Sequence, residues 1–181
     1  MHTIRQACLA VAAAALSLGA AAQSDIAGPY AVAALGRAQY EYDCYLFDCD
    51  SAQAAAGKLL LGHRWGVFAV EALWLDFGQA DTYRVGERQS MRALGLSACW
   101  TLQFAGSVEG RLRAGLADVR RWRSSDGSNR SVEPTFGIAA AHVATPQWSW
   151  ELAWDVARFY GTDNEGTSYA TALTAGLRWR F

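Results

Sequence analysis

The sequence predicts an all-β protein, an eight-stranded antiparallel up-and-down transmembrane β-barrel preceded by a cleavable signal peptide. Three observations support this prediction. Eight segments alternate apolar residues with small or polar ones, as strands do because successive side chains point to opposite faces. Their connections alternate between short and long. Charged residues make up only 18% of the chain, against roughly 25% in soluble proteins, which is little charge for a surface that must face water.

The first 22 residues are predicted to be a signal peptide. The basic start MHTIRQ precedes the apolar run ACLAVAAAALSLGA, and small residues follow as far as Ala22. This is the three-part plan of a secretory signal. A membrane anchor is the alternative, but the apolar run is shorter than the ~20 residues that a spanning helix needs. We therefore expect residues 23–181 to form the barrel domain outside the cytoplasm.

The first four predicted strands each have one apolar phase and one phase of small residues with a few charges. GPYAVAALGRAQY has Arg37 on its polar phase, and GKLLLGHRW has Lys58 and Arg64. FAVEALWLDF has Glu71, and MRALGLSACWTL has only small residues with Cys99. Period-two alternation with internal glycines favours strands over helices.

The last four predicted strands hold most of the charge of the polar phase. PTFGIAAAHV has only glycine and alanine there. The other three, SVEGRLRAGLADV, WSWELAWDV and SYATALTAGLRWRF, alternate apolar side chains with charged ones. Those charged residues are Glu109, Arg111, Arg113, Glu151, Asp155, Arg178 and Arg180.

The connections predict which end of each strand faces which compartment. Gly66–Val67, QFAG and ATPQ form the short links, and the long polar links run from residues 41 to 56, 78 to 88, 120 to 133 and 160 to 166. Short periplasmic turns and long extracellular loops are typical of outer-membrane barrels. The long link RRWRSSDGSNRS is basic, so it is a candidate for contact with anionic lipopolysaccharide; a solvated loop tip is the alternative.

The apolar phase is expected to face lipid. A water-exposed face would be crowded with charge, whereas small residues with a few ions suit the narrow lumen of eight strands. Aromatic residues cluster at the strand ends, as in the interfacial girdles of membrane barrels. Near the short turns lie Trp65, Phe68, Trp100, Trp148, Trp150, Trp179 and Phe181, and near the long loops lie Tyr40, Trp74, Phe159, Tyr160 and Tyr169.

The charged phase is predicted to form an ion-pair network that plugs the lumen, because unpaired buried charges are costly. We expect Glu151 to face Arg178. We also expect Glu71 to lie near Arg64, Arg111 or Arg113. The predicted members are Lys58, Arg64, Glu71, Glu109, Arg111, Arg113, Glu151, Asp155 and Arg178, with Arg180 as a further candidate.

The cysteines of the secreted chain predict one small disulfide. Cys44 and Cys49 flank a short polar segment, and an oxidising compartment permits a bridge between them. Metal binding is the alternative, but the spacing and the lack of a nearby histidine make a poor zinc site. Cys99 is expected to be a small buried residue.

The segments GPYAVAALGR, GKLLLGHRWGVFAVEALWLDFGQA, ALGLSACWTL, EGRLRAGLADV, FGIAAAHVATPQWSWELAWDVARF and TAGLRWRF, in this order, resemble the OmpA-like eight-stranded outer-membrane β-barrels. The resemblance implies location in a Gram-negative outer membrane, in contact with its lipids and lipopolysaccharide. It also implies insertion by the barrel-assembly machinery, which reads the terminal aromatic strand, here Trp179 and Phe181. Ala141 and Ala153 depart from the family, whose members often carry acidic residues there.

The expected function is structural or interactive, through the extracellular loops of a plugged monomeric barrel. A small ion-conducting pore is one alternative, and an enzyme that modifies lipid A is another. Only His63 and His142 remain after signal cleavage, and no evident motif places a serine beside either. We therefore expect no enzymatic activity, cofactor or metal. The net charge of −1 gives no reason to expect a nucleic-acid partner.

Overall fold

Eight antiparallel strands in chain order close into a barrel in the computed structural model, which describes residues 27–41, 52–81, 87–125, 127–160 and 167–181. The strands are β1 (Gly28–Glu41), β2 (Ala52–Trp65), β3 (Phe68–Asp81), β4 (Arg88–Ala105), β5 (Val108–Arg123), β6 (Gly127–Val143), β7 (Trp148–Tyr160) and β8 (Thr167–Arg180). The all-β fold and the strand number predicted from sequence are confirmed. The predicted signal peptide and the Cys44–Cys49 pair lie outside the described residues.

The barrel closes where the first strand pairs with the last. The β1–β8 register runs from Tyr30 opposite Arg180 to Glu41 opposite Tyr169. Closure matters because an open sheet edge would leave unpaired N–H and C=O groups in hydrocarbon. Among the residues that the structure describes, no helix is long and apolar enough to cross a membrane.

The strands are longer than the sequence predicted, and one predicted loop is wrong. The segment RRWRSSDGSNRS is mostly paired strand, with the β5–β6 register continuing to Arg123 opposite Gly127. Gly127 has a φ of 77°, which lets the chain turn tightly after β5. The polar composition of this segment indicated a loop, but cross-strand hydrogen bonds satisfy its backbone, with Arg121 and Arg123 buried inside and Arg120 and Arg130 exposed outside.

A bulge near the end of β3 redirects the strand. The β3–β4 register shifts between Asp76 and Gln79, and Gly78 has a φ of 73°. The Gly78 N–H donates to Asp76 Oδ1 at 2.8 Å, and the Tyr40 hydroxyl donates to the Gly78 carbonyl at 2.7 Å. A Cβ at Gly78 would lie 2.1 Å from the Ala55 oxygen, so the bulge requires glycine.

The two walls of the barrel have opposite chemistry. Large apolar side chains project from the outer wall, whereas the charged phases of β2, β3, β5, β7 and β8 are buried inside. An outer wall of this kind would be unstable in water, and it matches the lipid-facing band of transmembrane barrels. The predicted orientation of these strands therefore agrees with the structure.

In β1 the predicted orientation is wrong. Tyr30, Val32 and Tyr40 point inward and are buried, whereas Arg37 lies on the outer wall. The reason is that both tyrosine hydroxyls have polar partners inside the barrel, Tyr30 with Glu71 and Tyr40 with the bulge carbonyl. Tyr40 is therefore not a girdle residue.

Phe159 also faces inward. It is buried, and the Cζ atom of Arg121 lies 5.7 Å from the centre of its ring. The predicted outer girdle at the long-loop end thus loses this residue, while Trp74 and Tyr169 do lie on the outer wall.

Candidate functional site

Six charged side chains from four strands meet in the middle of the barrel, and we call them the central cluster. Strands β2, β3, β5 and β7 contribute them. All six are buried. The members are Lys58, Glu71, Arg111, Arg113, Glu151 and Asp155.

Glu71 is the acceptor at the heart of the central cluster. Its carboxylate pairs with the Nη2 of Arg111 and, at 2.6 Å, with the Nε of Arg113. The hydroxyl of Tyr30 also donates to it, and the hydroxyl of Ser97 lies 3.5 Å away. Two of the three basic partners that the sequence suggested for Glu71 are therefore in contact with it, and Arg64 is not.

The remaining acids of the central cluster bridge its cations. Glu151 accepts from Arg111 Nη1 at 2.6 Å, and Arg113 Nη1 pairs with Asp155. Lys58 Nζ lies 3.0 Å from Asp155 Oδ2 and 3.5 Å from Glu151 Oε1. Cations and carboxylates balance and alternate, as buried charges must if their mutual attraction is to offset a desolvation cost of several kcal/mol per ion.

A second group, the mouth cluster, lies at the short-turn end of the lumen. Glu109 accepts from Arg64 Nη1 at 3.1 Å and from Arg180 Nη2 at 2.9 Å, and it also pairs with Arg178. The mouth cluster thus sets three arginines around one carboxylate. Arg64 and Arg180 also line a cavity of about 260 Å³ at this end.

The predicted contact between Glu151 and Arg178 is wrong. The β7–β8 register places Glu151 opposite Gly176 and Arg178 opposite Ser149. Arg178 instead reaches Glu109 on β5. Depth along neighbouring strands suggested the pair, but long side chains in a narrow lumen cross to strands that are not neighbours in the sheet.

An apolar cluster lies in the lumen toward the long-loop end, beside the buried polar side chains of Gln89, Arg121, Arg123 and Glu133. Its larger members come from five strands and lie within a few residues of the strand ends there. They are Tyr40, Leu75, Phe77, Met91, Val119 and Phe159. The sequence reading missed this cluster because it treated the inward phase as small and charged. Leu73, Leu75 and Phe77 follow Glu71 on that same phase and could have revealed it.

The outer wall at the short-turn rim is aromatic. Trp65, Trp148 and Trp150 are exposed there and Trp100 is half-buried. Several rings lie close together: Trp148 and Trp179 stack at 5.6 Å between centroids, Trp179 and Phe181 lie 4.7 Å apart, and Phe68 and Trp100 lie 6.1 Å apart. This arrangement is typical of a membrane-interface girdle.

Ser107 lies beside His142, which the sequence motifs did not indicate. The Ser107 Oγ is 3.3 Å from His142 Nδ1, in the β4–β5 turn at the short-turn rim. Nucleophilic catalysis also needs a group that orients the histidine and a site for the developing oxyanion. Within the described ranges no carboxylate hydrogen-bonds this histidine, so the pair is a turn contact rather than a complete catalytic set. In those same ranges no three His, Cys, Asp or Glu side chains could hold a metal.

A closed barrel with an apolar outer wall, an aromatic rim and an ionic interior defines an integral membrane β-barrel of the outer-membrane type. The sequence matches the outer membrane protein beta-barrel domain over residues 8–181, and the chain belongs to this family. The resemblance to OmpA-like outer-membrane barrels is thereby confirmed. No curated protein matches the sequence.

Solved structures share the fold at low sequence identity. Neisserial surface protein A is 18% identical with a TM-score of 0.66, over 85% of this chain and 97% of that one. OprG from Pseudomonas aeruginosa is 8% identical with a TM-score of 0.54, over 86% and 97%. Ail, the attachment invasion locus protein of Yersinia pestis, is 11% identical with a TM-score of 0.52, over 84% and 99%. At these identities the similarity shows the fold.

Proposed function

We propose that this chain is an outer-membrane barrel with a closed lumen, and that its role is structural and interactive. The observation behind the proposal is the filling of the interior. The mouth cluster, the central cluster and the apolar cluster follow one another from the short-turn end to the long-loop end. Eight strands leave an interior just wide enough for side chains, so this lumen has no room for a continuous water column.

Two physical barriers oppose ion passage. In the central cluster, an entering ion would have to break charge-assisted hydrogen bonds such as those of Glu71 with Arg111 and Arg113, which are strong in a low dielectric. Toward the long-loop end, the apolar side chains of Phe77, Met91 and Phe159 share the lumen with buried polar groups such as Arg121 and Arg123, and this packing leaves an entering ion little space for its water of hydration. A small ion-conducting pore is the less favoured alternative.

The interactive role is assigned to the long-loop end. The β5–β6 hairpin exposes Ser124, Ser125 and residues 127–130, and the strands on either side of the connections 42–51, 82–86 and 161–166 end on the same side of the barrel. Because short turns are periplasmic in this class of barrel, these segments are placed outside the cell. Outer-membrane lipids and lipopolysaccharide are the proposed partners of the surrounding wall.

Export and assembly complete the proposal. Residues 1–22 would direct secretion and be removed, so that the mature protein starts at Gln23, which mass spectrometry of the purified protein checks directly. Trp179 and Phe181 project from the outer wall of the closing strand, where the assembly machinery could read them. Phe181→Ala should lower the amount of barrel in the outer membrane, whereas refolding in detergent should be unaffected.

The closed lumen is tested by planar-bilayer recording. The wild-type barrel should give no steady conductance steps. The double variant Glu71→Ser/Arg111→Ser removes one carboxylate and one cation together and widens the centre without leaving a net charge. Discrete openings would show that the central cluster is the main barrier, and a silent variant would show that the long-loop end closes the lumen without it. Arg180→Gln is the matched control, since it alters the mouth cluster alone.

Large, steady channels from the wild-type protein would contradict the proposal and favour the pore. Each variant must first migrate as a folded barrel, with a shift in gel mobility on boiling, so that leakage through misfolded protein is not counted. Catalysis forms no part of the proposal, because the Ser107–His142 pair lacks an orienting group among the described residues.

A further inference from the structure

Three arginines stand side by side on the outer wall near the long-loop end. The strand register places Arg92 of β4 opposite Arg120 of β5, and Arg120 opposite Arg130 of β6. Their side chains are 65–68% exposed. We call these residues the arginine row; directly opposite residues on paired strands lie about 5 Å apart.

Such a row is unfavourable unless a counter-charge is present, because like charges directly opposite one another destabilise a sheet. Two aspartates supply part of it. Asp76 Oδ2 lies 2.9 Å from Arg92, and Asp118 lies 2.6 Å from Arg130 and 3.6 Å from Arg120. With two carboxylates for three guanidinium groups, the row keeps a net positive charge.

The row also keeps its strongest donors available. Each of these ion pairs uses only the Nε atom of its arginine. Within the described part of the chain, the Nη1 and Nη2 groups of Arg92, Arg120 and Arg130 make no hydrogen bond. A guanidinium group binds phosphate oxygens through two parallel N–H donors. The arginine row can therefore form several such bidentate contacts with one anionic group.

The height of the row on the wall indicates which anion it would meet. On the same outward phase, two residues toward the short turns, lie Leu94 beside Arg92 and Val132 beside Arg130, and they are 59% and 70% exposed. Two strand residues span about 7 Å. The arginines therefore stand directly above the apolar band, at the level of lipid headgroups.

The opposite rim lacks this feature. At the short-turn end, the exposed outer positions of the described strands are dominated by aromatic rings such as Trp65, Phe68 and Trp148, while Arg178 and Arg180 point into the mouth cluster. The outer wall thus carries aromatic rings at both rims, with Trp122 and Tyr169 near the long loops, but among the described residues it carries exposed arginines only toward the long-loop end. This polarity matches a bilayer whose outer leaflet is the more anionic one.

We infer that the arginine row binds the phosphate groups of an anionic outer-leaflet glycolipid. The ligand class is a phosphorylated sugar headgroup with acyl chains that run down the apolar wall over Leu94, Leu116 and Val132. This inference rests on the proposed function in one respect, namely that the long-loop end lies at the outer leaflet. The acyl chains supply apolar contact, and the arginines supply the selectivity for phosphate.

The test uses the mature protein in nanodiscs of zwitterionic phosphatidylcholine that contain a small fraction of lipid A. Native mass spectrometry counts the lipid A molecules retained per barrel, with bis-phosphorylated lipid A compared against its dephosphorylated form. The wild type should retain the phosphorylated form at least tenfold better. The triple variant Arg92→Gln/Arg120→Gln/Arg130→Gln should lose that preference, and Arg120→Gln alone should lose part of it.

Arg37→Gln is the matched control. Arg37 is exposed on the outer wall of β1, but its cross-strand neighbours are Ala55 and Leu173, so it belongs to no row. An equal loss of preference in Arg37→Gln and Arg120→Gln would overturn the inference in favour of a general effect of net charge. Equal retention of both lipid A forms by the wild type would also overturn it.

A competition experiment distinguishes binding of the lipid from binding of a free phosphate anion. If millimolar inorganic pyrophosphate displaces lipid A completely from the wild type, the site recognises phosphate without the lipid and the inference fails as stated. Gel mobility before and after boiling shows that each variant is folded. These outward substitutions should not change conductance, so the two proposals are tested independently. A negative lipid A result would not contradict the closed lumen, and a conducting wild type would not contradict lipid A binding.

Discussion

The central cluster and the mouth cluster of the lumen differ in their balance of charge. The central cluster sets Lys58, Arg111 and Arg113 against an equal number of carboxylates, and all of these side chains are buried. The mouth cluster sets three arginines against Glu109 alone. The side chains of Arg64 and Arg180 are 9% and 11% exposed, and both line the cavity at the short-turn end.

The difference shows how water access controls charge balance. Charges in a low dielectric interact strongly, so an excess of one sign in the middle of the barrel would be severely destabilising. At the mouth, solvent and salt screen the excess positive charge. Substitutions that each remove one charge should therefore have unequal effects on the stability of the barrel in the two clusters. Three such substitutions test this comparison.

Glu71→Gln should have the largest effect. The substitution leaves Arg111 and Arg113 short of a counter-charge in a buried site, and we expect a loss of ~3–5 kcal/mol in the free energy of unfolding. Urea unfolding of the barrel in lipid vesicles, followed by tryptophan fluorescence, measures it. The loss should change little with salt, since buried pairs are poorly screened.

The double variant Glu71→Gln/Arg113→Gln is the control for that result. Removing Arg113 as well should recover part of the loss because the charges balance again. A double-mutant cycle gives the coupling between the two residues. Strictly additive losses would show that Glu71 acts through packing rather than through charge.

Glu109→Gln should have an intermediate effect. It leaves Arg64, Arg178 and Arg180 around an uncharged amide, but the cavity beside them admits water, so we expect a loss of about 2 kcal/mol. Raising the salt concentration should reduce this loss. A loss that equals or exceeds that of Glu71→Gln at every salt concentration would remove the distinction between the clusters.

Arg180→Gln should have the smallest effect. Glu109 keeps Arg64 and Arg178 as partners, and the repulsion among the three arginines falls. The unfolding free energy should therefore stay within about 0.5 kcal/mol of the wild type. If this variant is as unstable as Glu109→Gln, all three arginines are needed to stabilise Glu109, and none of the positive charge of the mouth cluster is in excess.

The fold was predictable from sequence because alternate residues of each strand in a transmembrane barrel face the lipid and the lumen, and the two environments favour different residue types. WSWELAWDV shows this plainly: Trp148, Trp150 and Trp154 face outward, while Glu151 and Asp155 face inward. In β1 the same reasoning failed, because a tyrosine suits either lipid interface or lumen. The buried partners of the Tyr30 hydroxyl, Glu71 and Arg111, favour its inward orientation, and both are far away in the sequence.

The sequence predicted which residues form the central and mouth clusters, but it predicted only some of the ion pairs among them. The lumen phase identified the charged residues of the central and mouth clusters, including Lys58, Glu71 and Arg111, but it missed Arg121, Arg123 and Glu133, which are also buried. It could not give partners such as Arg178 with Glu109, since these depend on how side chains cross the lumen. The apolar cluster was readable from the phase of Leu75 and Phe77, whereas the paired hairpin at RRWRSSDGSNRS depends on strand length, which cannot be deduced from composition.

The seam between β1 and β8 has a consequence for the order of folding. Arg178 and Arg180 reach Glu109 only from the closing strand, and that strand pairs with the first one across nearly the whole described chain. Contacts between such distant segments form late and slowly. Until β8 docks, Glu109 has only Arg64 of its three partners. The pairing of β8 with β1 therefore closes the barrel and, in the same step, brings Arg178 and Arg180 to Glu109.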